Sequence, residues 1–279
     1  MRQFYFDLGG GDLINKEEQF LIPGFHSVRE TLTQGHHRII EIWIADGNKF
    51  SRTGEILGIA RERGIPVRFK KREELSRLIP DLAHQGVVAV SGNFNYTDLE
   101  RIIDFSLKSQ GHSLLIAADH ITDEGNLGAL IRTAAFFGVH GLIIPKDRSA
   151  SVTSRVLKRS SGAFLHLPIA QVVNMGRALD ILEKKGFWII GASGDGVESI
   201  YQFDWKRSLV LVLGNEQKGL SRAARKRCQQ VVRIPSPGQV ESLNVGVAAG
   251  VILSEIIRHR NTEGESSQLK SESVSRTRC

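Results

Sequence analysis

The chain has little of what several functional classes require. Its 279 residues include two cysteines, Cys228 and Cys279. They lie far apart, which gives neither a disulfide framework nor a spaced set of thiolate ligands. The neighbouring His36 and His37 lack further ligands at metal spacing, so no metal is expected. No apolar run approaches about 18 residues, the length that suggests a bilayer span. The N-terminal stretch MRQFYFDLGGGDLINKEE lacks the basic start, apolar core and small-residue cleavage site of a secretory signal. A cytoplasmic protein with no membrane partner is expected. Walker-type phosphate loops and serine nucleophile elbows are also missing. Gly191-Ala192-Ser193-Gly194-Asp195-Gly196 carries glycine at its first, fourth and sixth positions. A dinucleotide fingerprint needs the first, third and sixth, followed by a clean helix.

What is present suits a soluble protein with a real core, since 41% of residues are hydrophobic. The length allows two ordinary domains. The net charge of +7 is unevenly spread, because residues 113–260 hold 19 Lys/Arg against 12 Asp/Glu while the rest of the chain balances. A basic half of this kind points to a polyanionic partner.

Taken in order, residues 1–16 read as a loose leader with three consecutive glycines. From 17 to 91, strand-like runs (Ile39 to Ala45, Ile65 to Phe69, His84 to Val90) alternate with helical ones (Arg52 to Arg63, Lys71 to Leu78). That pattern predicts a small α/β sandwich. Residues 92–112 read as a linker containing one helix. From 113 to 260 the apolar strands Ser113 to Asp119, Gly141 to Ile144, Phe187 to Gly191, Leu209 to Leu213 and Val231 to Ile234 alternate with helices, which predicts a parallel α/β sheet. Residues 261–279, rich in Ser and Glu, read as a disordered tail.

In open α/β sheets, sites gather at the carboxyl ends of strands. Four such ends carry suggestive residues: Asp119 through Arg132, Gly191 through Gly196, Leu213 through Leu220, and Ile234 through Asn244. The last is the most telling. A loop bearing Pro235, Pro237 and Gly238 delivers Ser242 and Asn244, both good capping residues, to a helix start. The helix that follows, Val245 to Leu253, is apolar or small on every face, as expected of one buried all round.

Three segments in order, DHITDEGNLGALIRTAAFFG, LVLGNEQKGL and IPSPGQVESLNVGVAAG, resemble the signature motifs of the SpoU (TrmH-like) RNA ribose 2′-O-methyltransferases of the SPOUT superfamily. IIPKDRSA and SGAFLHLPIA resemble the branch acting on a guanosine of 23S ribosomal RNA. PGFHSVRE and HQGVVAV resemble the L30e-like substrate-binding domain that precedes the catalytic one. The resemblance implies an α/β fold with a deep trefoil knot in the C-terminal sheet, S-adenosyl-L-methionine held in that knot, a ribosomal RNA substrate and a homodimer.

It also implies roles. Arg132 matches the catalytic arginine, Asn126 the asparagine of the first motif, Glu216 the glutamate of the second, and Ser242 with Asn244 the polar pair of the third. Ala192, Leu213, Gly214, Ile234 and Leu243 fall where the cofactor is held. Lys146, Arg148, Arg155, Lys158, Arg159, Arg222 and Arg225 are candidates for RNA phosphate. A guanidinium keeps its proton far above neutral pH, so we expect Arg132 to act as a clamp on charge and not as the family's proposed base. The sequence departs from the family pattern at Glu124, where proline is usual, at Gln217, where glycine is frequent, and at Gly246, where serine is frequent. Two other readings share these features: the same chemistry on tRNA, and an RNA-binding assembly factor without catalysis.

Overall fold

The computed structural model describes residues 20–34, 39–47, 50–79, 84–92, 94–239 and 242–275. The expected leader at 1–16, the His36–His37 pair and the last residues of the expected tail lie outside them. The N-terminal unit contains β1 (Phe20–Pro23), α1 (Phe25–Gln34), β2 (Ile39–Ala45), α2 (Phe50–Glu62), β3 (Val67–Lys70), α3 (Arg72–Leu78) and β4 (Val87–Ser91). Its sheet runs β1-β4-β2-β3. The β1–β4 and β4–β2 pairs are antiparallel, and β2–β3 is parallel. Alternation along β2 splits the core. Ile42 and Ile44 pack with Val28, Leu32 and Ile56 of α1 and α2, while Trp43 and Ala45 pack with Leu75 under α3.

The C-terminal unit is built from α4 (Leu99–Leu107), β5 (Leu114–Ala118), α5 (Glu124–Phe136), β6 (Gly141–Pro145), α6 (Ser154–Ser160), a 3-10 turn (Ala163–His166), β7 (Ile169–Val172), α7 (Met175–Lys184), β8 (Trp188–Ala192), β9 (Glu198–Ser199), β10 (Leu209–Leu213), α8 (Arg222–Arg225), β11 (Gln230–Arg233) and α9 (Val245–Ser275). The strand order is β7-β6-β5-β10-β8-β11-β9, and every pair in it is parallel. Strands buried on both faces must be apolar throughout, and Leu114–Ala118 and Leu209–Leu213 are. Side chains on one face pack with α5, α6 and α9, and those on the other with α4, α7 and α8.

The structure differs from the sequence reading in three places. The helix expected inside a linker, α4, buries Leu99, Ile102 and Ile103 in the C-terminal core, so it is a layer of that unit. Helix α9 is not buried on every face. Ala249, Ile252, Leu253 and Ile256 are buried, but Val247 is 54% exposed, because only one side of the helix meets α5 and the sheet within this chain. Finally, α9 runs on to Ser275, through most of the stretch expected to be disordered. Its first turns are anchored in the core, and the Glu-, Ser- and Lys-containing extension has no proline to stop it.

Candidate active site

Asp119, directly after strand β5, is a fully buried carboxylate. One oxygen accepts the backbone N–H of Ser221 at 2.6 Å. The other lies 2.7 Å from Nδ1 of His120, which sits in the left-handed region at φ 62. The His120 carbonyl accepts from Nδ2 of Asn215 at 2.8 Å. These bonds fix the loop after β10 against the end of β5. The same loop closes on itself: Asn215 and Gly219 exchange backbone hydrogen bonds, each at 2.9 Å. Asn215 Oδ1 also accepts from the Gln217 and Lys218 amides. A Cβ on Gly214 would stand 2.3 Å from the Gly219 carbonyl carbon, so only glycine fits there.

Helix α5 begins beside this loop. Asp123 caps it by accepting the Asn126 N–H at 2.8 Å, an ordinary N-terminal cap. The Asn126 side chain then spans three segments distant in sequence. Its Nδ2 donates to Glu216 Oε1 at 2.8 Å, and its Oδ1 accepts from Asn244 Nδ2 at 2.7 Å. Asn244 Oδ1 in turn accepts the Gly246 N–H at 2.9 Å, at the start of α9. Three of the five expected catalytic residues thus form one hydrogen-bonded row.

The other two stand apart from it. Ser242 is exposed. Arg132 lies six residues further along α5, roughly 9 Å by helical rise. It is exposed, and its Nη1 donates to Ser161 Oγ at 3.4 Å. It lines a groove of about 520 Å³ with Phe136, Phe137, His166 and Gly250. This groove opens among α5, the 3-10 turn and α9, and not at the strand ends where the polar row sits.

The expected cofactor positions cluster at adjacent strand ends. Leu213 is in register with Ala192, and Ala192 with Val232 of β11. Ile234 follows β11 and is half-buried, whereas Leu243 is 51% exposed. A Cβ on Gly196 would meet the Val232 carbonyl carbon at 2.5 Å, so two backbones touch where the loop after β8 crosses β11. Bare backbone beside half-buried apolar side chains suits a flat heteroaromatic group with a short polar chain.

The expected RNA contacts divide in two. Lys146 and Arg148 lie on the loop after β6, and Arg155, Lys158 and Arg159 on α6, all on the α5 side. Arg148 adopts φ 54. Arg155 comes within 3.8 Å of Glu124. Arg222 and Arg225 belong to α8 in the opposite layer, and Arg225 is bound to Asp195 at 2.9 and 3.0 Å. That guanidinium, with Ser193, holds the Asp195 carboxyl below its usual range. Sequence reasoning did not single out His120, Asn215 or the Asp195–Arg225 clasp. A carboxylate ending the central strand was the available signal.

Residues 113–254 match the SpoU rRNA Methylase family, and residues 21–97 match a family described as RNA 2′-O ribose methyltransferase substrate binding. The chain is 39% identical over 247 residues to the 23S rRNA (guanosine-2′-O-)-methyltransferase RlmB of Xylella fastidiosa, spanning 88% of this chain and 99% of that protein. It is 31% identical over 252 residues to YacO of Bacillus subtilis, named for the TrmH family of tRNA/rRNA methyltransferases, spanning 90% of this chain and all of YacO. Among solved structures it is similar to the SpoU methyltransferase AviRb of Streptomyces viridochromogenes in complex with AdoMet. The TM-score is 0.74 at 27% identity, covering 88% of this chain and 91% of AviRb.

Proposed function

The chain belongs to the SpoU rRNA methylase family, and from that premise we propose that it methylates the ribose 2′-hydroxyl of a guanosine in 23S ribosomal RNA. It is an RNA 2′-O-methyltransferase, and S-adenosylmethionine is its methyl donor. The observation that carries the reading is the Asn126–Glu216–Asn244 row, which ties all three signature loops into one polar surface at the strand ends.

When bound, S-adenosylmethionine supplies a methyl group already activated by its positive sulfur. Ala192, Leu213, Gly214, Ile234 and Leu243 would hold it, chiefly through main chain and apolar contact. The chain's own task is to aim the 2′-hydroxyl and manage its charge. Asn126 and Asn244 each donate one Nδ2 hydrogen within the row and keep the second for the ribose, and Ser242 adds a hydroxyl. Arg132 grips the adjoining phosphate and stabilises the negative charge that develops on the 2′-oxygen as its proton passes to solvent and the methyl group leaves sulfur. A preorganised electrostatic contact of this type is typically worth about 3–4 kcal/mol.

We read the C-terminal sheet as threaded into a deep trefoil knot. The placement of β10 between β5 and β8 supports this, as does the close approach of Gly196 to Val232. The N-terminal unit is read as an L30e-like RNA-binding domain, and the working form as a homodimer covering Phe136 and Val247, which are 82% and 54% exposed. A ribosomal RNA substrate supports a cytoplasmic site of action, and among the described residues no helix is long and apolar enough to cross a membrane.

The test is to incubate the protein with methyl-labelled S-adenosylmethionine and separate pools of ribosomal and transfer RNA, then map alkali-resistant linkages. Label at one guanosine of 23S RNA is expected. Label in tRNA alone overturns the substrate. RNA binding without label in either pool favours a non-catalytic assembly factor.

A further inference from the structure

We propose that the Asp195–Arg225 ion pair is a clasp that closes the loop after β8 over the methyl-donor site. Both residues then position S-adenosylmethionine, and Arg225 makes no contact with RNA. The inference rests on the methyltransferase reading and gives these two side chains a task within it. Charge alone made Arg225 a candidate for RNA phosphate. In the fold its guanidinium is already engaged: Nη1 donates to Asp195 Oδ1 at 3.0 Å, and Nη2 lies 2.9 Å from Oδ2. A fork on both carboxylate oxygens is the strong form of such a pair. An RNA phosphate would have to displace that carboxylate first.

The turn that carries Asp195 leaves β8 directly after Ala192, an expected cofactor position. Its base is pinned to β11. The Ser193 N–H donates to the Val232 carbonyl at 3.0 Å, and the Val197 N–H to the Val231 carbonyl at 3.2 Å. Arg233, at the end of β11, donates from Nη1 to the Gly196 and Val197 carbonyls at 2.7 and 3.1 Å. The Gly196 N–H closes the turn on the Ser193 carbonyl at 3.0 Å. Ser193 Oγ donates to Asp195 Oδ1 at 2.6 Å. A side chain braced in this way loses less freedom on pairing than a loose one.

Arg225 is braced from the other direction. Helix α8 is capped by Ser221, whose Oγ accepts the Ala224 N–H at 3.2 Å and whose own N–H reaches Asp119 at 2.6 Å. The helix directly follows the second signature loop, which carries Gly214. Leu220 and Cys228, which flank α8, press on Gly191, where a Cβ would stand 2.8 and 2.9 Å from them. Strands β8 and β10 end side by side, with Ala192 in register with Leu213. The ion pair therefore joins the segment beyond Ala192 to the segment beyond Gly214. Arg233 joins the same turn to the segment that leads to Ile234. Three loops, each bearing an expected cofactor position, are fastened at one turn. The ion pair is made by exposed side chains, 43% for Arg225 and 66% for Asp195, so it can part to admit the donor and close behind it.

Isothermal titration of the full chain with S-adenosylmethionine, without RNA, reads the clasp directly. Asp195→Ala and Arg225→Ala are each expected to weaken binding about fivefold, the upper end for an exposed pair of good geometry. The double variant should also lose about fivefold, since residues that act as one pair are not additive. Losses that multiply to about 25-fold would mean two separate roles and overturn the clasp, as would an unchanged affinity in either single variant. Binding of 23S ribosomal RNA across a range of salt concentrations separates the clasp from a phosphate contact. Its salt slope is expected to be the same in the parent and in Arg225→Ala. A slope smaller by about one returns Arg225 to the RNA and overturns the assignment. A parent that binds no S-adenosylmethionine overturns the methyltransferase reading, and the clasp with it. Equal binding by the parent and all three variants overturns the clasp alone.

Discussion

Gly214 is the residue on which the second signature loop closes. With hydrogen as its side chain, the backbone of Gly219 and Leu220 passes within 2.3 to 2.5 Å of where a Cβ would lie. Neither neighbour is a side chain that can swing away. Gly214→Ala must therefore open the loop, break the Asn215–Gly219 pair and draw Glu216 off Asn126. We expect S-adenosylmethionine binding to weaken and methylation to fall at least about 100-fold, with a stability cost of about 1–3 kcal/mol from overpacking. Wild-type turnover in a purified Gly214→Ala protein would contradict the geometry. A second residue gives a pH dependence. Burial, and then the charge of Asp119, push the Cys228 thiol up to about 11. An unfolded chain releases that proton nearer 8.5. The folded state thus holds a proton that the unfolded state loses, and this contribution, full below about pH 8.5, is lost as pH rises toward 11. Urea midpoints should fall over that interval, and less steeply for Cys228→Ala. Equal slopes for the two proteins would refute the assignment.

At the scale of elements, the joint between α5 and α6 sets the positions of the basic side chains. Gly128 lets the helices meet: a Cβ there would stand 2.4 Å from Arg159 Cβ and 2.9 Å from the Val156 carbonyl oxygen. Gly128→Leu should push α6 outward, costing about 1–3 kcal/mol and moving Lys158 and Arg159 away from Arg132. RNA affinity should then fall more than S-adenosylmethionine affinity, which equilibrium binding of each would show; equal losses would point to general unfolding. The helix pair itself was legible, because α5 follows an apolar strand and ends at Gly138 in the left-handed region. Strand β10 was legible to the residue, since a strand covered on both faces must be an unbroken apolar run. Strand β7 was not, because its four residues are half-exposed at Gln171 and Val172 and follow a proline. Nothing local in α4 says whether it links two units or covers one. Asn126, Glu216 and Asn244 could each be picked out as polar residues at strand ends. The row joining them spans separations of 90 and 118 residues, which only the fold brings together. The packed part of α9 ends at Arg260, whose guanidinium donates to the Trp205, His112 and Arg207 carbonyls. Burial lowers it to about 10, still far enough above neutrality to remain a cation.

For the whole molecule the open question is what covers the outer face of α5 and α9. Phe136 is 82% exposed and Val247 54%, and the groove beside Arg132 holds about 520 Å³. Large exposed apolar side chains beside an open groove often mark an interaction surface. A second copy is the simplest cover, because a two-fold axis lays the same face against itself. Val247→Glu separates this from an ordinary surface. In an isolated chain a carboxylate at an exposed helix position changes stability by no more than about 0.5 kcal/mol. In a symmetric interface the change buries two unpaired charges, and each uncompensated ion costs several kcal/mol. The dimer constant should then weaken by at least about 100-fold, since each 1.4 kcal/mol is a factor of ten. Sedimentation of the two proteins at equal concentration reads this directly. A dimeric parent and a monomeric variant with an unaltered melting temperature are expected. Methylation should be lost alongside, because opening the interface exposes the groove that holds Arg132. A variant that remains dimeric, or a parent that is already monomeric, would mean that these side chains face something other than a second copy, and that Arg132 works without one.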